Sequence, residues 1–301
     1  MTEYHKPVML AESVEALNVR PDGIYVDLTF GGGGHAKEIL RRIDKGHLYA
    51  FDQDSDTLAN AEKFEDRSFT FIKANFRYLT KYLKVHDVAQ VDGILGDLGI
   101  SSHQIDEITR GFSTRMDGLL DMRMNRDSDY SAFDLVNTIK ETDIKIMLST
   151  YGEVRNAGRV AKAICVARAN KPIESTGELV KVLERLAPRG KQNKFFAQVF
   201  QAIRIGVNDE MNTLRDVLEQ SAAVMKKGGI IAIMSYHSLE DRMVKNFFNK
   251  GKIHGDVEKD IYGNVYRPFK PLNRKPITAS VEEIASNKRA RSAKLRVAEK
   301  L

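Results

Sequence analysis

The 301-residue chain has a single cysteine, Cys165. That excludes an internal disulfide and a cysteine-built metal cluster. Cys165 stands among Ala163, Ile164, Val166 and Ala167, the setting of a buried, inert thiol. No apolar run approaches the roughly 18 residues a membrane span needs, so no membrane association is expected. The opening residues M-T-E-Y-H-K-P lack the apolar core of a secretory signal. These absences together point to a reducing, cytoplasmic setting. Internal repeats and low-complexity linkers are missing too, and no cluster of ligand side chains stands out, so no metal is expected.

Hydrophobic residues make up 42% of the chain, enough for one large domain or two smaller ones. Net charge is +6 and pI about 9.2, which favours an anionic partner. The charge is uneven. Residues Arg267 to Leu301 carry ten Lys/Arg and three Asp/Glu, so the rest of the chain is close to neutral and the C-terminal end alone is basic.

The chain is organised around Tyr25 to His35, Y-V-D-L-T-F-G-G-G-G-H. Ile24, Tyr25 and Val26 are β-prone and begin a buried strand. Gly31 to Gly34 form a turn, and Ala36 to Leu40 read as a helix. Strand, glycine turn and helix open a nucleotide-binding βαβ unit. Glycines allow close backbone approach and positive φ, and the first N–H groups of the helix add positive potential. Gly31, Gly33 and Ala36 also fit a dinucleotide fingerprint. Asp27 shifts the balance, because a carboxylate at the strand end repels a pyrophosphate. It suits instead the ammonium of S-adenosylmethionine, which carries no phosphate.

The βα rhythm continues. His47 to Phe51 is a second strand ending at Asp52, 21 residues beyond Gly31, where an acid accepts ribose hydroxyls. Asp54 and Asp56 read as helix caps. Phe69 to Ala74 is a third strand, followed by Asn75 and Phe76; Phe76 serves either an adenine face or the core. Val91 to Leu95 is a fourth strand, and Asp97 follows at its carboxyl end, where doubly wound sheets hold their ligands. His5 near the start reads as a surface histidine, with a ligand role the other option.

Then the rhythm breaks. Arg110 to Asn125 has glycines, charges and no period. Helices are expected over Ala132–Ile139, Asp143–Thr150, Glu153–Ala169 and Ser175–Leu186, with no strand between them: a helical insertion of about one hundred residues. A long helix is expected from Asn193 through Val224, bent near Gly206. On it Gln198, Gln201, Arg204 and Asn208 make one polar stripe, either a hydrogen-bonding surface for a ligand or a solvated face. Ile230 to Met234 is a fifth strand, leading into a helix capped by Ser238. Tyr262–Phe269 and Ile277–Ser280 are expected to close as a hairpin. Lys288 to Arg296 holds five positive charges in nine residues. It reads either as a solvated tail or as a phosphate-contacting arm that includes Lys288, Arg289 and Arg291.

H-K-P-V-M-L, D-L-T-F-G-G-G-G-H, F-D-Q-D, G-D-L-G-I-S-S-H-Q, R-G-F-S, L-D-M-R-M, F-Q-A-I-R-I-G-V-N, S-Y-H-S-L-E-D-R and R-A-R-S-A-K-L-R occur in that order. Together they resemble the bacterial 16S ribosomal RNA (cytosine-N4)-methyltransferases over nearly the whole chain. The resemblance implies an α/β, Rossmann-like class I methyltransferase core with an inserted all-helical domain. The expected division is residues 1–108 and 211–301 for the core and 109–210 for a substrate-recognition insertion. It implies S-adenosylmethionine as cofactor and methyl transfer to N4 of a decoding-centre cytosine, position 1402 in the usual RNA numbering. The partner is then 16S ribosomal RNA or the small ribosomal subunit; oligomeric state, a homodimer included, stays open. Carried over by motif, the donor site falls on Gly33, Gly34, His35, Asp52, Phe76, Asp97 and Gln104, of which His35 and Gln104 come from the resemblance alone. Asp27 and Gly31 join them from the reading above. Arg110, in the R-G-F-S motif, joins the polar stripe and the basic arm as an RNA-contact candidate. Departures from the family pattern at Leu119, Asn125, Val154 and Gln192–Phe196 fall in the insertion and bear on RNA contacts.

Cytosine N4 is a poor nucleophile because its lone pair is conjugated with the ring. Alignment with the methyl group and an acceptor for the N4 hydrogens are therefore required. Asp97 is the first candidate for that acceptor, though it could orient the donor only; His237 is held in reserve. The base must be unstacked to react, with Phe112 and Tyr236 as stacking candidates. The alternative within enzymes is methylation of another RNA or DNA exocyclic amine. DNA enzymes of that kind carry a proline-proline-aromatic run after the fourth-strand acid, and Leu98-Gly99-Ile100 does not match it. A dinucleotide oxidoreductase is disfavoured by Asp27, and a purely RNA-binding module does not need acids at three strand ends.

Overall fold

Five apolar stretches alternate with helices in the manner of a parallel sheet: β1 (Ile24–Asp27), β2 (His47–Asp52), β3 (Phe69–Lys73), β4 (Val91–Asp97) and β5 (Met225–Ser235). The computed structural model describes residues 7–253, 255, 263 and 267–301. Two further strands, β6 (Phe269–Pro271) and β7 (Lys294–Lys300), complete a seven-stranded sheet in the order β3-β2-β1-β4-β5-β7-β6. β1 pairs in parallel with β2 and β4, β2 with β3, and β4 with β5. β7 runs antiparallel between β5 and β6. All but the last residue of β4 is buried, as a strand covered on both faces requires. The direction of winding reverses between β1 and β4. The carboxyl ends of those strands therefore open a crevice, and Asp27 and Asp97 stand there.

The chain divides into two compact units, one of residues up to Gly99 and from Asn212 on, the other Ile100–Met211. The second unit starts nine residues earlier than the expected 109, because Ile100 already packs on the helical core. The sheet unit has its core in residues such as Tyr25, Leu48, Ala50, Leu95, Ala232 and Leu295. The helical unit is built on helices Ala132–Thr138, Glu141–Tyr151, Ala157–Asn170, Thr176–Leu183 and Gln192–Asn208, packed around Leu135, Leu148, Val160, Val199 and Ile203. Cys165 is half-buried there, less enclosed than its neighbours in sequence suggest.

Several expectations need correction. The long helix does not bend at Gly206; it breaks at Asp209, whose φ of 50° and ψ of 39° end one helix before Glu210–Val224 begins. Gly206 serves packing instead, since a Cβ there would lie 2.8 Å from Met147 Sδ. The basic end is not a tail. Lys288–Ser292 forms a short 3₁₀ turn that leads straight into β7, a strand inside the sheet. Among the described residues the expected hairpin limbs pair elsewhere: Phe269–Pro271 pairs with β7, and Ile277 bridges to Leu295. The Tyr262 end of that expected hairpin lies outside the described residues, as do His5 and Lys6. Among the described residues no helix is long and apolar enough to cross a membrane.

Candidate active site

The glycine turn is shaped from both sides. Gly31 and Gly33 have φ of 51° and 76°, a region that favours glycine. The N–H of Gly31 donates to Asp52 Oδ2 at 2.8 Å, so the turn is held to the end of β2. A Cβ on Gly33 would lie 2.7 Å from Phe64, and one on Gly34 2.0 Å from Pro7 Cγ. The helix starts at Gly34, two residues earlier than expected, with Gly33 as its N-cap. His35 is buried and its Nε2 lies 3.2 Å from the Val8 carbonyl. Burial pushes its pKa down to about 4, so it is a neutral ring pinning the N-terminal arm. Gly33, Gly34 and His35, three of the resemblance-derived residues, thus have packing roles that the sequence did not disclose.

Asp27 is 1% exposed. Its Oδ1 accepts from the Thr29 N–H at 3.0 Å, while Oδ2 is buried with no hydrogen-bond partner among the described residues. Burial, reinforced by the Asp52 charge, pushes its pKa up to about 7. Asp52 accepts from the N–H groups of Gly31 and Asp54, and burial raises it to about 6. Thr29 ties the two central strand ends together, since its Oγ1 accepts from the Asp97 N–H at 2.7 Å. Phe76 is half-buried at the start of a 3₁₀ turn just after β3, capped by Asn75.

Asp97 closes β4. Its Oδ1 accepts from the Tyr236 hydroxyl at 2.8 Å. Burial, with the charges of Asp27 and Glu240, raises its pKa to about 7, against the lowering effect of that hydroxyl. His237 is drawn into the turn that follows β5. It is the N-cap of Ser238–Lys250, a role expected of Ser238. Its Nδ1 accepts from the Glu240 N–H, and its Nε2 lies 3.2 Å from Glu240 Oε1. Nδ1 thus helps hold the turn after β5, while Nε2 is buried near the Glu240 carboxylate with no hydrogen-bond partner among the described residues.

In the helical unit most of the expected RNA-contact side chains are bonded to the fold itself. Arg110 is 2% exposed, and its guanidinium donates to the carbonyls of Arg123 and Met124. Asn208 accepts from the Met124 N–H and donates to the Met122 carbonyl. Both pin the aperiodic loop between Arg110 and Asn125. Gln201 donates to the Tyr151 carbonyl at 2.8 Å, and Gln198 reaches that of Glu153. Arg204 forks onto both oxygens of Glu210 at 2.8 and 2.9 Å. The polar stripe is half-buried, and each of its side chains makes a bond within the fold. Phe112 belongs to the helical core, which removes it as a stacking platform. Gln104 is buried at the third position of a capping box, its Oε1 accepting from the Ser101 N–H. Lys288 and Arg291 are exposed and Arg289 half-buried, so the basic turn faces solvent.

The whole described site can now be set beside known proteins. A match to the MraW methylase family runs over residues 2–301. The chain belongs to the MraW methylase family. The ribosomal RNA small subunit methyltransferase H of Cytophaga hutchinsonii is 57% identical over 297 residues, 99% of each chain. That of Christiangramia forsetii is 52% identical over all of this chain and 99% of its own, and that of Bacteroides fragilis strain YCH46 is 48% identical over 99% and 98%. A solved rRNA methylase from Streptococcus thermophilus aligns at 13% identity with a TM-score of 0.43, covering 100% and 99%.

As a MraW-family methylase the protein uses S-adenosylmethionine, and the residues present fit that donor. The buried, unpartnered Asp27 Oδ2 is what a ligand ammonium requires, since an isolated buried carboxylate is otherwise costly. Asp52 retains acceptor lone pairs for a ribose, and its two backbone donors fix its plane. Sequence reasoning missed Thr29 and Glu240 and saw Tyr236 only as a stacking ring. The S-Y-H-S-L-E run held the signal, in an acid placed three residues after a cap position.

Proposed function

We propose that this methylase transfers a methyl group to the exocyclic N4 of a cytosine in small-subunit ribosomal RNA, the decoding-centre cytosine at position 1402. When bound, the donor supplies an electrophilic methyl on a positively charged sulfur. The chain must then supply orientation and an acceptor for a proton. Asp27 and Asp52 orient the donor's ammonium and ribose, and Phe76 packs on its adenine. Asp97 accepts a hydrogen bond from the N4 amine, raises electron density on that nitrogen and takes the proton it loses. A carboxyl with a pKa of about 7 is matched to that task at neutral pH, whereas the Nδ1 of His237 accepts from the Glu240 N–H as a helix cap. Lys288, Arg289 and Arg291 contact RNA phosphates from the exposed turn before β7.

The observation that carries this reading is Asp97 at the carboxyl end of β4, beside the winding reversal and hydrogen-bonded through one oxygen only. The names of the relatives support ribosomal RNA as substrate. Mass analysis of 16S ribosomal RNA from cells lacking the protein is the test. Loss of N4-methyl at that cytosine, restored by the purified protein, is expected. Retention of the mark rejects the substrate, and methyl appearing on another RNA or DNA amine redirects it.

A further inference from the structure

The turn after β5 is built with more care than a strand-to-helix connection requires. Glu240 is 3% exposed, and its Oε2 accepts from the N–H groups of both Tyr236 and His237, at 2.9 and 3.3 Å. His237 closes the reciprocal half of that capping box. The Tyr236 ring lies beside Gly99, where a Cβ would come to 3.6 Å of its Cδ2 and where φ is 96°. The backbone of Asp97 is fixed separately by Thr29 Oγ1. Two rigid supports therefore meet at one hydrogen bond, Tyr236 hydroxyl to Asp97 Oδ1, 2.8 Å long. The other carboxylate oxygen accepts no hydrogen bond from the described residues.

We infer that Tyr236 is a positioning residue of this methylase: its hydroxyl locks one oxygen of Asp97 so that the other is presented to the attacking amine. This rests on the reading of Asp97 as the acceptor for that amine. A carboxylate free to rotate about its Cβ–Cγ bond would present either oxygen in a range of directions; a held one presents a single lone-pair direction. The hydroxyl also acts on charge. The groups facing Asp97 are Asp27 from the end of β1, Glu240 from the helix after β5, and Tyr236. The two acids and burial favour the protonated carboxyl, and the hydroxyl alone among these favours the ionised one. Tyr236 itself stays protonated, since burial and the Asp97 charge raise its pKa far above neutral. It can therefore only donate to Asp97.

The test is Tyr236→Phe, which keeps the ring and removes the donor. In the free protein, carbon-13 NMR of labelled aspartates, with Asp97 assigned through Asp97→Asn, is expected to show the Asp97 titration moved up by about half a pH unit or more. Turnover on the RNA is expected to fall about tenfold at neutral pH, with its acid limb displaced to higher pH and donor affinity unchanged. In an Asp97→Asn background the same substitution is expected to change residual turnover less than about twofold. An unmoved titration and acid limb overturn the inference. So does a full additional loss in the Asp97→Asn background, which also covers the case of a Tyr236→Phe protein merely weakened in folding. If the wild-type protein transfers no methyl to this RNA while the titration still moves, the functional reading fails and the hold of Tyr236 on Asp97 stands.

Discussion

The sheet unit and the helical unit treat buried polarity in opposite ways. In the sheet unit, Asp27, Asp52 and Asp97 stand at neighbouring strand ends with pKa values pushed up to about 7, 6 and 7, and one oxygen of Asp27 is buried without a partner among the described residues. In the helical unit, Arg110, Gln201, Arg204 and Asn208 all bond to backbone or to Glu210. Both sets looked functional as sequence. A buried polar group costs free energy unless it is satisfied. A carboxylate oxygen left unsatisfied at a strand end where such sheets bind ligands fits a place completed by a ligand, and side chains bonded to their own fold fit a scaffold.

The sharpest way to break that comparison is Asp97→Asn. Turnover on ribosomal RNA is expected to fall about a thousandfold, while calorimetry shows donor affinity unchanged. Unchanged turnover would remove Asp97 from the chemistry. Next comes Asp27→Asn, with an expected loss of about a hundredfold in donor affinity, because the ammonium loses its buried counter-charge. The same substitution sharpens the contrast through stability. The folded-state pKa of Asp27, about 7, lies above the ordinary aspartate value of 3.8. Its contribution to stability is therefore full at low pH and is lost as pH rises through about 7. Asp27→Asn is expected to raise Tm above pH 8 and not near pH 4, and an equal effect at both would show that its charge is not the cost. By the same linkage, donor binding to the wild-type protein strengthens as pH rises towards about 7 and releases a proton, readable by calorimetry in buffers of different ionisation enthalpy.

Smaller effects are expected where polarity is satisfied. Arg204→Ala leaves Glu210, whose side chain is 9% exposed, without its fork, at a cost of about 2 kcal/mol read by denaturant unfolding. The salt dependence of RNA binding is not expected to change. The smallest effect belongs to Lys288→Ala with Arg291→Ala: unaltered stability, RNA affinity lower by a few-fold, and a salt slope reduced by about two. If Arg204→Ala moved the salt slope and the basic turn did not, the roles of the two surfaces would be reversed.

Much of this was legible in the chain as written. The alternation of β-prone runs and helices, the glycine turn after Asp27 and the break in rhythm after Asp97 are local patterns, and local patterns determine which elements form and in what order. The placement of acids at the ends of β1, β2 and β4 needed only strand boundaries and the rule that such sheets bind at their carboxyl ends. What the chain could not reveal was partnership. Whether Arg204 meets RNA or Glu210, whether Arg110 is a contact or a pin, and whether His237 is a base or a cap depend on atoms brought close by folding. The same holds for the basic end, where charge density suggested a free arm and pairing with β5 made it a strand of the sheet. Composition and periodicity specify the hydrophobic side of the free energy, which is averaged over many residues. A hydrogen bond depends on a few tenths of an ångström between two particular atoms, and only the tertiary structure decides those.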